Sequence, residues 1–271
     1  MKRKMEIQLR HSRDITLARD RFGDHEDINE PKLVRWLNQF SKTDVSIGVK
    51  ILKNIKYYDA SSLRAKVKQL VKMISDEYPS VSNKKIAFIP IEAGLPGGGS
   101  SSVARVLRTI PEAKPYRIMT MLDFNNLKEG ECSVAVFFDD FSGTGRTLNE
   151  WWQVVSPMVL PKGAKIILAL IVVTMHSRTR ISEMCDQLIS VDEICEDSNI
   201  FSETNLTFSS SEKTRIEDYC KRTKCPNNML KGFGELGLLL AFKHGCPNNS
   251  IPILWCDNDE RWEALFKRRA I

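Results

Sequence analysis

Residues 135–148 read AVFFDDFSGTGRTL, and their order decides the fold. Ala135 to Phe138 form an apolar run without polar alternation, which suits a strand buried on both faces of a parallel sheet. Asp139 and Asp140 stand where that strand is expected to end. Phe141, Ser142, Gly143, Thr144, Gly145, Arg146 and Thr147 make a short turn rich in small and hydroxyl residues, after which LNEWWQVV opens a helical pattern. Strand, phosphate-sized loop and helix start imply an α/β fold.

Gly143 and Gly145 let successive backbone N–H groups turn inward into an anion-binding nest, and Ser142, Thr144 and Thr147 add hydroxyl donors. A phosphate there would lie on the N-terminal end of the next helix, where orphan N–H groups and the helix dipole favour negative charge. The carboxylates need another partner. Beside a phosphate they repel it, unless they face neutral hydroxyls such as those of a ribose, or a cation bridging through water. A ligand with a phosphate, vicinal hydroxyls and bound Mg²⁺ satisfies every group at once. A Walker loop needs Gly-Lys-Ser/Thr and there is no lysine here. A methyltransferase motif would put Phe141 where close cofactor approach requires glycine. A plain glycine-rich turn with surface acids is the remaining rival.

The stretch resembles the phosphoribosyltransferase motif for phosphoribosyl pyrophosphate (PRPP): an apolar strand, two acids, a small-residue turn and T-G-x-T. The resemblance implies that Asp139 and Asp140 hold the ribose hydroxyls, organise Mg²⁺ and stabilise charge on the ring, as the catalytic pair. It implies that Ser142, Gly143, Thr144, Gly145, Arg146 and Thr147 hold the 5′-phosphate. Arg146 stands where the family often has glycine; an arginine there adds a phosphate contact or closes the loop against bulky ligands. Upstream, KKIAFIPIEAGLPGGGSSSVARVLRTI repeats the logic, with a strand over Ile86 to Ile91, a loop over Gly94 to Ser102 and a helix from Val103. That loop resembles the family's pyrophosphate loop, with Gly98, Gly99, Ser100 and Ser101 as ligand residues and Arg105 about one turn into the helix.

The 271 residues, 42% hydrophobic and 27% charged, describe a globular protein with room for a full core. MKRKMEIQLR is not followed by a signal-peptide apolar core, and the longest apolar run, Ile166 to Val173, is too short to span a bilayer. The expectation is a cytoplasmic protein. Seven cysteines, at 132, 185, 195, 220, 225, 246 and 256, form no disulfide framework and no C-x-x-C pair. Cys220, Cys225, His244, Cys246 and Cys256 invite a zinc reading, but buried small hydrophobes are the better account. Charge is uneven: residues 1–85 hold 19 Lys+Arg against 11 Asp+Glu, net +8, and the rest hold 21 against 23, net −2. Such an excess suits a nucleic-acid or acidic-protein partner, or solvated helix faces.

Residues 1–29 read as a loosely held N-terminal arm. A helical domain is expected over 30–82, with apolar faces at Leu33, Val34, Trp36, Leu37 and Phe40, at Val45, Val49, Leu52 and Ile55, and at Leu63, Val67, Leu70 and Ile74. Three short helices are compatible with a winged-helix module or with a cap on the sheet domain. Trp36 and Phe40 sit on the apolar face and read as core. The third domain, 83–271, holds the motifs, with further strands at Pro115 to Leu122 and within AKIILALIVVTMHS, a short polar segment DFNNLKEGECS in a lid position, and a loop over Met175 to Arg180. A strand is expected over Leu238 to Phe242.

GFGELGLLLAFKHGCPNNSIPILWC resembles a divergent phosphoribosyltransferase-like group of prokaryotic conflict and defence operons, some retron-associated. The residues carrying it are Gly232, Phe233, Gly234, His244, Pro247, Asn248, Asn249, Pro252, Ile253, Leu254 and Trp255, read as a hairpin closing the sheet or as a base-recognising hood. The resemblance implies a parallel-sheet phosphoribosyltransferase-like domain behind a small helical, winged-helix-like one. It implies a Mg²⁺-dependent glycosyltransferase of the phosphoribosyl type, or a hydrolase of nucleotide glycosidic bonds, serving as an antiviral effector. The competing class is a non-catalytic PRPP- or nucleotide-binding module. It would signal to a protein, a nucleic acid or a reverse-transcriptase complex through the basic N-terminal region.

Overall fold

The computed structural model describes residues 2–92, 98–258 and 261–266. In chain order the helices are α1 (Lys2–Arg10), α2 (Ser12–Phe22), α3 (Glu30–Leu37), α4 (Val45–Asn54), α5 (Ala60–Glu77), α6 (Gly99–Leu107), α7 (Met121–Asn125), α8 (Arg146–Val159), α9 (Met175–Ile181) and α10 (Ser210–Arg222). The strands are β1 (Lys56–Tyr58), β2 (Ile86–Pro90), β3 (Arg117–Ile118), β4 (Val134–Ser142), β5 (Lys165–Thr174), β6 (Gln187–Ile194) and β7 (Leu240–Phe242). They fall into two compact units, Met1–Ala60 with Glu196–Ile271, and Ser61–Cys195.

This division differs from the expected 1–29, 30–82 and 83–271. The arm is helical: Ile7 lies on one face of α1, and Ile15, Ala18 and Phe22 on one face of α2, all buried. Their spacing of three to four residues was diluted in the sequence by flanking charges. The expected helical domain is split between the units, because α5 takes its polar partners from the second. Lys66 pairs with Asp192 of β6 at 2.7 Å, and the Tyr78 hydroxyl just beyond α5 donates to Gln187 at 2.6 Å.

In the first unit Trp36 and Phe40 are fully buried, and the indole N–H groups of Trp36 and Trp262 both donate to the Ile253 carbonyl, at 3.1 and 2.9 Å. The buried Asp44 carboxylate accepts from Arg215 and, at 2.8 Å, from Tyr219. Strand β7 pairs in parallel with β1, Lys56 opposite Leu240, in a sheet of its own. It therefore does not close the main sheet as a hairpin. Gly232, at φ 78°, packs where an added Cβ would lie 2.2 Å from the Asn249 carbonyl oxygen. Phe233 N–H donates to Asn248 and the Asn249 amide to the Phe233 carbonyl, so the two matching turns lock together.

The second unit is a five-stranded parallel sheet, order β3-β2-β4-β5-β6. Its central strands are buried on both faces, as the unalternated apolar runs require. One face packs Ala135, Phe137, Leu168 and Leu170 against Leu148, Trp151, Val155 and Val159 of α8. The expected strand over Pro115 to Leu122 is only β3, because Thr120 and Asp123 form a capping box that starts α7. The DFNNLKEGECS segment is tied down by Lys162, whose ammonium donates to the carbonyls of Asn125 and Leu127, both at 2.6 Å.

Candidate functional site

Strand β4 does not stop before its acids. It continues in register through Asp139 opposite Leu170 and Ser142 opposite Val173, so both carboxylates are held on the rigid sheet edge of the loop. The Asp140 N–H donates to the Asp139 carboxylate at 2.8 Å. Burial, then the adjacent charge of Asp140, holds the Asp139 carboxyl well above the usual carboxylate range.

Helix α6 begins at Gly99, so Gly99, Ser100 and Ser101 form its first turn rather than a free loop, with Gly98 immediately before it. Residues 94–97 of the expected pyrophosphate loop lie outside the described residues. The first turn packs directly on the acids. A Cβ added at Gly99 would lie 1.8 Å from Asp140 Oδ1, and the nearby Ser100 backbone offsets part of the rise that burial imposes on the Asp139 carboxyl. Carboxylates at a helix N-terminus are stabilised by its orphan N–H groups and dipole. The early helix start moves Arg105 to an exposed position about 9 Å along the axis from Gly99, farther than the expected single turn. The structure therefore brings Gly99 and Ser100 to the acids and leaves Arg105 off the buried face formed by Ser100, Val103, Ala104 and Leu107.

From the last residue of β4 onward, residues 142–145 are clamped from one side by α9, a helix where the sequence suggested a loop. The buried Thr174 hydroxyl donates to the Gly143 carbonyl, caps α9 by accepting from Ser177 N–H at 3.0 Å, and Arg180 donates to the Thr144 carbonyl at 3.0 Å. Ser142 shares a 2.7 Å hydrogen bond with Ser177, so its hydroxyl is engaged by α9. Gly145 is left-handed at φ 71°, and a Cβ there would meet Ile181 Cγ2 at 2.8 Å and Ser177 Oγ at 3.0 Å. With two carbonyls engaged behind the loop, the N–H groups of Thr144 and Gly145 have no acceptor among the described residues. Arg146 pairs with Glu150 at 2.7 Å on the exposed side of α8, and Thr147 is exposed beside it.

Thr174, Ser177 and Arg180 hold the loop, a supporting role that sequence reading did not give them. Their signal was present: Thr174 and Ser177, three apart at the end of an apolar strand, are an N-cap pattern.

Paired acids on a central parallel strand, followed by a clamped loop rich in glycine and hydroxyl residues at a helix start, define an α/β domain of phosphoribosyltransferase type. The chain belongs to the PRTase-CE family, whose model matches residues 33–268. Among solved structures, the chain is similar to HGPRTase of Leishmania tarentolae in complex with GMP, at 13% identity and a TM-score of 0.34, covering 51% of this chain and 80% of that one. It is also similar to the Helicobacter pylori xanthine-guanine-hypoxanthine phosphoribosyltransferase, at 9% identity and 0.33, covering 49% and 84%. The AQ2163 protein of Aquifex aeolicus matches at 15% and 0.31, covering 62% and 86%. Comparison with curated proteins gives no match.

Proposed function

We propose that this protein binds a ribose 5-phosphate group, as PRPP or a related nucleotide, and acts on its anomeric carbon. What carries the reading is the succession, at one end of β4, of two adjacent acids and a loop whose Thr144 and Gly145 N–H groups have no acceptor among the described residues. The loop N–H groups suit a phosphate; the acids suit the ribose hydroxyls. Displacement at the anomeric carbon builds positive charge on the ring, and carboxylates fixed on a strand stabilise it without reorganising.

Mg²⁺ fits this pair. Two adjacent acids, one of them held well above the usual carboxylate range by burial and its neighbour's charge, are relieved by a divalent cation. No group of three acidic, histidine or cysteine ligands occurs among the described residues, so ligand oxygens would complete the coordination. The bound ion would neutralise charge on a pyrophosphate leaving group. Asp139 and Asp140 would hold it.

The family and this site support an enzyme of the glycosyltransferase type, or a hydrolase of nucleotide glycosidic bonds if water is the acceptor. We place it in the cytoplasm as a prokaryotic defence effector; no helix among the described residues is long and apolar enough to cross a membrane. Its basic N-terminal residues would face a nucleic-acid or reverse-transcriptase partner.

Purified protein incubated with Mg²⁺ and PRPP or nucleotides is expected to release pyrophosphate or free base, and Asp139→Asn with Asp140→Asn to abolish release. Saturable binding without release would instead establish a sensor that signals to a partner. Absence of both binding and release would remove the proposal.

A further inference from the structure

A cleft of about 210 Å³ opens in the first unit, and no residue of the ribose-phosphate site lines it. Glu217 reaches it from α10, Asn227 and Asn228 from the turn Asn227–Met229, and Glu235 from the turn Phe233–Glu235. The second turn is fixed from several directions. Phe233 N–H donates to the Asn248 carbonyl and Gly237 N–H to the Lys231 carbonyl, both at 2.7 Å, and the Asn199 amide donates to the Glu235 carbonyl at 2.9 Å. These bonds hold Glu235 at φ 57°, a left-handed backbone in which a side chain's Cβ crowds the carbonyl. Gly234 and Gly237, at φ 71° and 51°, are the residue type such a backbone favours. A glutamate kept at a position suited to glycine points to use of its carboxylate.

The groups lining the cleft are open to a ligand. Neither the Asn227 and Asn228 carboxamides nor the Glu235 carboxylate makes a hydrogen bond or ion pair among the described residues. Glu217 is paired loosely, with Lys221 at 3.5 Å and Lys231 at 3.7 Å, against about 2.8 Å for a close charged hydrogen bond. Lys231 also lies 5.7 Å over the Phe201 ring, so its charge is answered within the fold. The cleft thus offers two carboxylates and two carboxamide oxygens, in a space larger than a bare ion needs and smaller than the roughly 300 Å³ of a drug-sized pocket. We propose that it is a binding site for a guanidinium cation, carried by a small free molecule or by an arginine side chain. The planar fork gives two parallel N–H donors to one carboxylate and keeps others for the carboxamide oxygens. A primary ammonium is a point charge and satisfies fewer of these acceptors. A divalent metal ion is disfavoured by Lys231, 3.7 Å from one of the two carboxylates. The site stands apart from the ribose-phosphate reading, and neither depends on the other.

The test titrates the full chain calorimetrically at low salt with agmatine and, separately, with the capped peptide acetyl-Gly-Arg-Gly-amide. Saturable one-site binding of either probe is expected, agmatine alone marking a free ligand and the peptide a protein partner. Putrescine, which replaces the guanidinium by an ammonium, should bind more weakly. Glu235→Gln should weaken the guanidinium probe by about 10- to 100-fold, the loss of a charged hydrogen bond. Glu235→Gly separates ligand from fold: it should remove binding while raising Tm, because glycine adopts the left-handed φ without strain. The proposal is overturned if the unmodified protein binds neither probe, if Glu235→Gln binds as well as the parent, if putrescine matches agmatine, or if Ca²⁺ displaces the bound probe.

Discussion

Gly99→Ala tests the junction between α6 and the acids on β4. In a first helical turn this change ordinarily stabilises by about 0.5–1 kcal/mol, because alanine loses less backbone freedom on folding. Here the added methyl would lie 1.8 Å from Oδ1, 2.1 Å from Cγ and 2.4 Å from Oδ2 of Asp140. An ordinary contact is about 3.5 Å, so the carboxylate or the first turn has to move by roughly 1.5 Å. Overpacking of that kind costs about 1–3 kcal/mol. The net is a loss of about 1–2 kcal/mol, or a fall in Tm of about 2–8 °C. Displacing one carboxylate from the ribose is expected to weaken Mg²⁺–PRPP binding by about 10- to 100-fold, the worth of a charged hydrogen bond. Differential scanning fluorimetry and titration calorimetry read both. Gly245→Ala, where the added methyl meets nothing within 4 Å, is the control. An alanine at 99 that raises Tm and leaves binding intact would refute the packing of α6 on Asp140.

Asp139→Asn is expected to raise Tm at neutral pH while removing ligand binding. Because the folded carboxyl titrates above its unfolded value, wild-type stability is full below about pH 4 and falls as pH rises toward the folded value. The variant's advantage should accordingly vanish at acid pH; an advantage independent of pH would contradict the buried like-charge pair. Thr174→Val removes the hydroxyl that holds Gly143 and caps α9, with an expected cost of about 1–2 kcal/mol and weaker binding of inorganic phosphate. Unchanged phosphate affinity in a folded Thr174→Val protein would show that the clamp does not shape the loop. At Asp44, burial raises the carboxyl, but hydrogen bonds from Ser41, Tyr219 and Arg215 outweigh it and hold it low. Its contribution is present above about pH 4 and lost as pH falls further. Asp44→Ala should cost about 2–4 kcal/mol by denaturant titration at pH 7, and a loss under 0.5 kcal/mol would deny that network its role.

The order of residues 135–148 was enough to place a buried strand, an acid pair and a glycine turn in an α/β fold, since local periodicity and turn chemistry act within a few residues. Heptad-scale patterns likewise found α3, α4 and α5. What the chain's own order concealed were matters of partnership. The arm's helicity depended on Ile7, Ile15 and Phe22 finding a core, and α5 was assigned to a unit by Asp192 and Gln187, more than a hundred residues away. Strand β7 reads as an apolar run from sequence, but only pairing could give it β1 as a neighbour. At the site, residue types announced acids and a phosphate loop. Tertiary structure alone decided that Gly99 lies against Asp140, that Ser142 faces Ser177, and that α9 takes up the loop's carbonyls. The reason is physical: composition fixes which groups can bind an anion, whereas the direction each group faces is set by whatever packs behind it.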